Sequence, residues 1–181
     1  RYVTLGGGHR WRALMAVAAG GLFSADAERK VLPLAAALEM MHAASLVLDD
    51  LPSMDDASTR RGKPCAHLSF PPWVVDMLPA FLVNQAYQVV ADNSMTEEGC
   101  RIRVLSLLGG MGAGLAQGQE QDLKLLTSVI SQEQLLESYS LKSGSLFAAA
   151  LAGGALLCGA GPSDAAVLRD TGLKLGQAYQ I

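Results

Sequence analysis

The chain has 181 residues, of which 50% are hydrophobic and 17% charged, with a formal net charge of −3. That composition belongs to a folded, core-rich protein and excludes a disordered one. The mild acidity, without any Lys/Arg-rich stripe, excludes a nucleic-acid surface.

Helical periodicity then runs through nearly the whole chain. After Gly6-Gly7-Gly8 a first pattern covers 10–22. Leu34, Leu38, Met41, Ser45 and Leu48 recur at three- and four-residue steps, which predicts a helix over 33–48 with Pro33 in its first turn. Similar patterns cover 74–91, 97–117, 132–151 and 164–181, with breakers around Pro52 and Pro64, at Pro71-Pro72, and from Gly159 to Pro162. No run of alternating β-branched residues bounded by turns occurs, so the fold class is all-α. No internal repeat or linker divides the chain. The stretch GGMGAGLAQG at 109–118 lacks a preceding strand and the GxGxxG spacing, so it reads as a tight helix crossing rather than a dinucleotide loop. The longest apolar run, Leu146 to Ala160, is shorter than the roughly 18 residues a membrane span needs, which predicts a buried helix and no transmembrane segment. Cys65, Cys100 and Cys158 are scattered and form no CxxC, a pattern of reduced thiols.

The charge is concentrated in LDDLPSMDDASTRRGKP, residues 48–64. Asp49 and Asp50 fall at the C-terminal end of a helical pattern, where negative charge opposes the helix dipole. Asp55 and Asp56 follow within one loop, and carboxylates this close repel one another unless a cation compensates them. Arg60, Arg61 and Lys63 can do so locally. A hard ion such as Mg²⁺ can as well, since it favours such oxygens and bridges to phosphate. Ala44 and Ser45 lie four to five residues before Asp49, one turn deeper. Small residues there leave room for an apolar tail beneath a diphosphate-binding mouth.

With these residues the chain resembles the trans-isoprenyl diphosphate synthases, and among them the plant geranylgeranyl diphosphate synthase group. Asp49, Asp50 and Asp55 match the family's DDxxxxD, and Arg60 and Arg61 its trailing arginine pair. GGGHRWRA at 6–13 is similar to GGKRxRP, EMMHAASLVLDD at 39–50 to the helix leading into the motif, and GQEQDL at 118–123 to GQxxDL. LKSGSL at 141–146 is similar to the KT segment, and GQAYQI at 176–181 to the lead into the second aspartate motif. The resemblance implies an isoprenoid-synthase fold of antiparallel helices around a central apolar cavity. It also implies one domain over 1–181, incomplete at both ends. By the same resemblance, Asp49, Asp50 and Asp55 are metal residues for two or three Mg²⁺ ions. Arg60, Lys142, Ser143 and Gln180 bind the allylic diphosphate; His9, Arg12, His42 and Arg61 bind isopentenyl diphosphate; Ala44 and Ser45 shape the chain-length cavity.

The departures matter as much. His9 puts an imidazole where the family has a lysine, Ala13 replaces the proline of GGKRxRP, and Pro79-Ala80 stand where the family has GD. The loop after Asp122 is shorter than usual, and the second DDxxD would begin only after Ile181. These departures favour a regulatory, weakly catalytic or non-catalytic small subunit that forms a heterodimer with a catalytic geranylgeranyl diphosphate synthase in a plastid. The alternative is an active Mg²⁺-dependent prenyltransferase that condenses isopentenyl diphosphate with allylic diphosphates.

Overall fold

The computed structural model describes residues 1–125 and 131–181. The described residues are mostly helical: α1 (Trp11–Gly21), α2 (Ala27–Asp49), α3 (Ala66–Ser69), α4 (Pro72–Ala91), α5 (Glu98–Leu125), α6 (Gln132–Tyr139), α7 (Ser145–Leu157) and α8 (Pro162–Gln180). A wider π-type turn over Ser140–Gly144 joins α6 to α7. A two-residue ribbon, β1 (Thr59–Arg60) against β2 (Lys63–Pro64), interrupts the helices after the charged stretch. It is too short to leave an alternating pattern in the sequence. Its connection, Arg61-Gly62, has φ 54° and 75°, the double positive φ of a tight two-residue hairpin turn.

Helix boundaries differ from the sequence expectation mainly at prolines. Pro72 and Pro162 open α4 and α8, where the absent N–H has no partner to lose. Pro33 instead lies inside α2, which begins at Ala27. The buried Ala27 and Val31 hold that earlier turn in the core despite the one backbone hydrogen bond that Pro33 cannot make. The pattern over 132–151 proves to be three pieces. A reciprocal Ser131–Gln134 capping box starts α6, and α7 runs on to Leu157. It ends where Gly159 (φ 95°) donates to the Leu156 carbonyl and Ala160 to that of Ala155. α5 extends past the expected 117 through the glycines and GQEQDL.

α7 is the central element. Every residue from Leu146 to Leu157 is buried, and it packs against α1, α2, α5 and α8. Leu34 and Leu38 of α2, Val104 and Leu108 of α5, and Leu146 and Ala150 of α7 form the main core. Three helical stretches are long and apolar enough to cross a membrane by length and mean hydropathy: Ala27–Asp49, Pro72–Ala91 and Gln132–Leu157. The apolar-run criterion missed them because isolated polar residues interrupt each one. Gln132–Leu157 is largely enclosed by the bundle, whereas Pro72–Ala91 leaves Trp73, Met77 and Phe81 exposed at four-residue spacing. All three cysteines are free and buried.

Candidate functional site

Two cavities flank the C-terminal half of α2. The first, about 610 Å³, is mainly apolar. It descends between α2, α4 and α5 past Ser45, Ala44 and Met41 toward Tyr87 and Gly112, with Asp49 and Lys142 also in its wall. A cavity of this volume holds a small apolar ligand. The amide nitrogen and oxygen of Gln119, also in its wall, are both buried without a protein partner. Pro79, one of the two departures from GD, lines the same cavity.

The polar end of this cavity is built by the chain folding back on the end of α2. The Asp55 N–H donates to the Asp49 carbonyl at 2.9 Å, satisfying one of the carbonyls that a helix end leaves free. That bond returns the exposed Asp55 to the neighbourhood of the partly buried Asp49. Burial holds the Asp49 carboxyl above the ordinary range; Lys142 opposes the shift, and Asp55 adds to it. Lys142 extends from the π-type turn and pairs with Asp122 of α5. Gly118 makes this approach possible, since a Cβ there would sit 2.6 Å from the Lys142 backbone nitrogen. One turn residue further, Ser143 donates to Gln180 Oε1 at 2.7 Å, so these two expected partners do meet.

Asp50 goes elsewhere. Although next to Asp49 in sequence, it is buried, and Arg60 donates to its Oδ1 through Nε (2.9 Å) and Nη2 (2.5 Å). Arg60 is thus paired with Asp50, while its charge, like that of Lys142, acts on the Asp49 carboxyl. Among the described residues no three His, Cys, Asp or Glu side chains converge as a metal site. Asp49 and Asp55 remain a pair of carboxylates whose mutual repulsion a cation would relieve. Such a donor set suits a hard ion that keeps several waters and completes its shell with phosphate oxygens.

The second cavity, about 430 Å³, is polar and is lined by His9, Arg10, Arg12, Glu39, His42 and Arg61 among others. The four residues expected at one diphosphate thus share one pocket, although they come from three separate segments. Arg61 reaches it from the tip of the hairpin and donates to the Gly7 carbonyl at 2.6 Å. Arg10, in a left-handed conformation (φ 55°) just before α1, pairs with Glu39 and donates to the Thr4 carbonyl at 2.7 Å. Arg12 has no carboxylate partner among the described residues, and its Nε is buried without one. Its guanidinium lies 4.9 Å from the Phe147 ring centroid. Burial lowers the Arg12 pKa, with Glu39 and Tyr179 opposing. Burial, then the charges of Arg12, Arg61, Arg60 and Arg10, push His42 down to about 3, so it is neutral at physiological pH.

This arrangement of an apolar cavity with an acidic rim beside a pocket of arginines agrees with the family comparison, in which the model for polyprenyl synthetases matches residues 1–181. The chain belongs to the polyprenyl synthetase family. It is 36% identical over 170 residues to a geranylgeranyl diphosphate synthase from Pantoea ananas, covering 93% of this chain and 56% of that protein. It is 34% identical over 188 residues to the chloroplastic geranylgeranyl pyrophosphate synthase 12 of Arabidopsis thaliana, covering 100% of this chain and 52% of that protein. Among solved structures, an FPP/GFPP synthase from Zymomonas mobilis superposes with a TM-score of 0.93 at 29% identity, over 99% of this chain and 66% of that one. A geranylgeranyl pyrophosphate synthase gives 0.92 at 25% identity, over 99% and 53%. The family chain therefore has the isoprenoid-synthase fold and spans about half the length of the curated relatives it matches.

Three contributors to this polyprenyl-synthetase site escaped the sequence reading. Arg10 and Glu39 form an ion pair in the wall of the polar pocket, and Cys65 lines a small pocket together with Asp50. Glu39 had a visible signal, since it precedes His42 by three residues on one helix face. Cys65 had none. The expected short loop after Asp122 falls partly outside the described residues.

Proposed function

We propose that this chain forms the substrate-binding part of a Mg²⁺-dependent prenyltransferase that joins isopentenyl diphosphate to an allylic diphosphate. The carrying observation is Arg12, a partly buried cation with no carboxylate partner among the described residues, beside Arg61 and next to a long apolar cavity with a polar rim. A desolvated charge left unpaired is strongly destabilising, so the pocket calls for an anion. Isopentenyl diphosphate fits there, with Arg12 and Arg61 as charged donors and His9 and neutral His42 as hydrogen-bonding walls.

The allylic substrate lies with its tail in the apolar cavity beneath Ala44 and Ser45 and its diphosphate between Lys142 and the aspartates. Ser143 and Gln180 support that end. Two or three magnesium ions held by Asp49 and Asp55, when bound, supply charge for the departing diphosphate. The allylic carbon–oxygen bond breaks, the isopentenyl double bond attacks the resulting cation, and a proton leaves. The apolar walls keep water from the cation. The relatives named as geranylgeranyl diphosphate synthases favour a product of that length, and the chloroplastic one favours a plastid.

The test is prenyl transfer by the purified protein with Mg²⁺, labelled isopentenyl diphosphate and a series of allylic diphosphates. Product formation that Arg12→Ala reduces by about a hundredfold or more, as loss of a charge-assisted contact does, supports the reading. A wild-type protein that makes no product overturns it. A second reading, the regulatory subunit of a heterodimer, is favoured by His9 and by the exposed Trp73, Met77 and Phe81 on α4. It predicts that the protein, inactive alone, co-elutes with a catalytic geranylgeranyl diphosphate synthase and changes its rate or product.

A further inference from the structure

We infer that Asp50 is a positioning residue that clamps the hairpin carrying Arg61 by holding Arg60. Asp50 caps α2 and is only 4% exposed, enclosed by Val47, Arg60, Cys65 and Ala66. Arg60, on β1, donates two N–H groups to Oδ1. Cys65, just after β2 and 1% exposed, lines the same small pocket as Asp50. The hairpin is short, and its turn places Arg61 at φ 54°, a left-handed conformation that is unfavourable for a non-glycine residue. Two ladder residues on each strand are a weak hold for such a turn. A buried carboxylate binding Arg60 next to the turn makes up the difference and delivers Arg61 to Gly7 and the polar pocket. Adjacent aspartates thus divide the labour: Asp49 faces the apolar cavity, while Oδ1 of Asp50 is engaged by Arg60 of the hairpin.

The ligand-facing half of this inference rests on the proposed function; the clamp itself does not. The experiment compares Asp50→Asn, Asp49→Asn and Arg60→Ala in the whole protein. Amide exchange over 59–64, thiol labelling of Cys65, Mn²⁺ affinity and Mg²⁺-free inorganic diphosphate affinity are measured. Asp50→Asn is expected to speed exchange at the hairpin and labelling of Cys65 by about tenfold, leaving Cys100 and Cys158 unchanged. It weakens inorganic diphosphate binding by about tenfold and leaves Mn²⁺ affinity within about twofold. Asp49→Asn does the reverse. Arg60→Ala, which removes the other side of the contact, speeds hairpin exchange to a similar extent. Should Asp50→Asn fail to fold, Arg60→Ala carries the decision. Unchanged hairpin exchange in Asp50→Asn or Arg60→Ala, or Mn²⁺ loss in Asp50→Asn matching Asp49→Asn, overturns the clamp. A wild-type protein that binds no inorganic diphosphate overturns the pocket assignment instead, while exchange and labelling still judge the clamp.

Discussion

Replacing Gly172 by alanine isolates the packing of α8 on α7. A Cβ at Gly172 would lie 2.4 Å from the Ala148 Cα and 2.5 Å from its nitrogen. Both are backbone atoms of a buried helix, so no rotamer change relieves the contact. Carbon atoms pack comfortably at about 3.5 Å, which requires α8 to withdraw by about 1 Å; a gap of that size forfeits a quarter to a half of the dispersion energy along the contact. Overpacking costs roughly 1–3 kcal/mol, and a backbone clash belongs at the upper end. Alanine returns about 1 kcal/mol through its better helix propensity, leaving a net loss of about 2 kcal/mol. For a chain of this size that lowers Tm by about 4–8 °C. Gly110 in α5, where a Cβ meets nothing within 4 Å, is the control: Gly110→Ala should be stabilising by up to about 1 kcal/mol. Thermal unfolding of both variants followed by circular dichroism reads the opposite signs. If Gly172→Ala is as stable as wild type or more so, helix propensity alone governs the position and the packing argument fails.

Three other expectations follow from the geometry. His42 has a folded pKa of about 3 against about 6.5 unfolded, so between those values only the unfolded state binds the proton and stability falls as pH drops. From pH 6.5 to 5 the loss is about 2 kcal/mol, and His42→Gln should flatten that part of a urea-midpoint profile. Ser45→Phe places a ring in the apolar cavity, and binding of a geranylgeranyl diphosphate analogue should weaken by about tenfold relative to a shorter-tailed one; equal weakening of both would refute the tail placement. Buried Asn93 donates to the Lys30 carbonyl at 2.8 Å and accepts from the Met95 N–H at 3.1 Å, so Asn93→Ala strands both groups and should cost about 2 kcal/mol by denaturant titration.

Much of this was visible in the chain. Three- and four-residue spacing located the helices because each must bury an apolar face, and small residues before the aspartates marked the cavity beneath them. Prolines misled, since the same residue opens α4 and α8 and lies inside α2. His9, Arg12, His42 and Arg61 meet because three distant segments converge, which spacing along one helix cannot reveal; their grouping came from the family resemblance. What no local rule contained was the different fate of Asp49 and Asp50. Neighbours at a helix end point about 100° apart, and only the positions of Lys142 and the hairpin decide which side is polar cavity and which is clamp.

α2 is a common wall, with the apolar cavity on one side and the arginine pocket on the other, and its C-terminal half contributes to both through Asp49 and His42. Any occupant that moves this half of α2 changes the free energy of the other compartment. Linkage makes that influence mutual and equal, so the order of loading alters the path but not the total. Occupancy of one compartment that shifts α2 would be felt in the other without a separate relay, because the partition between them is itself the connection.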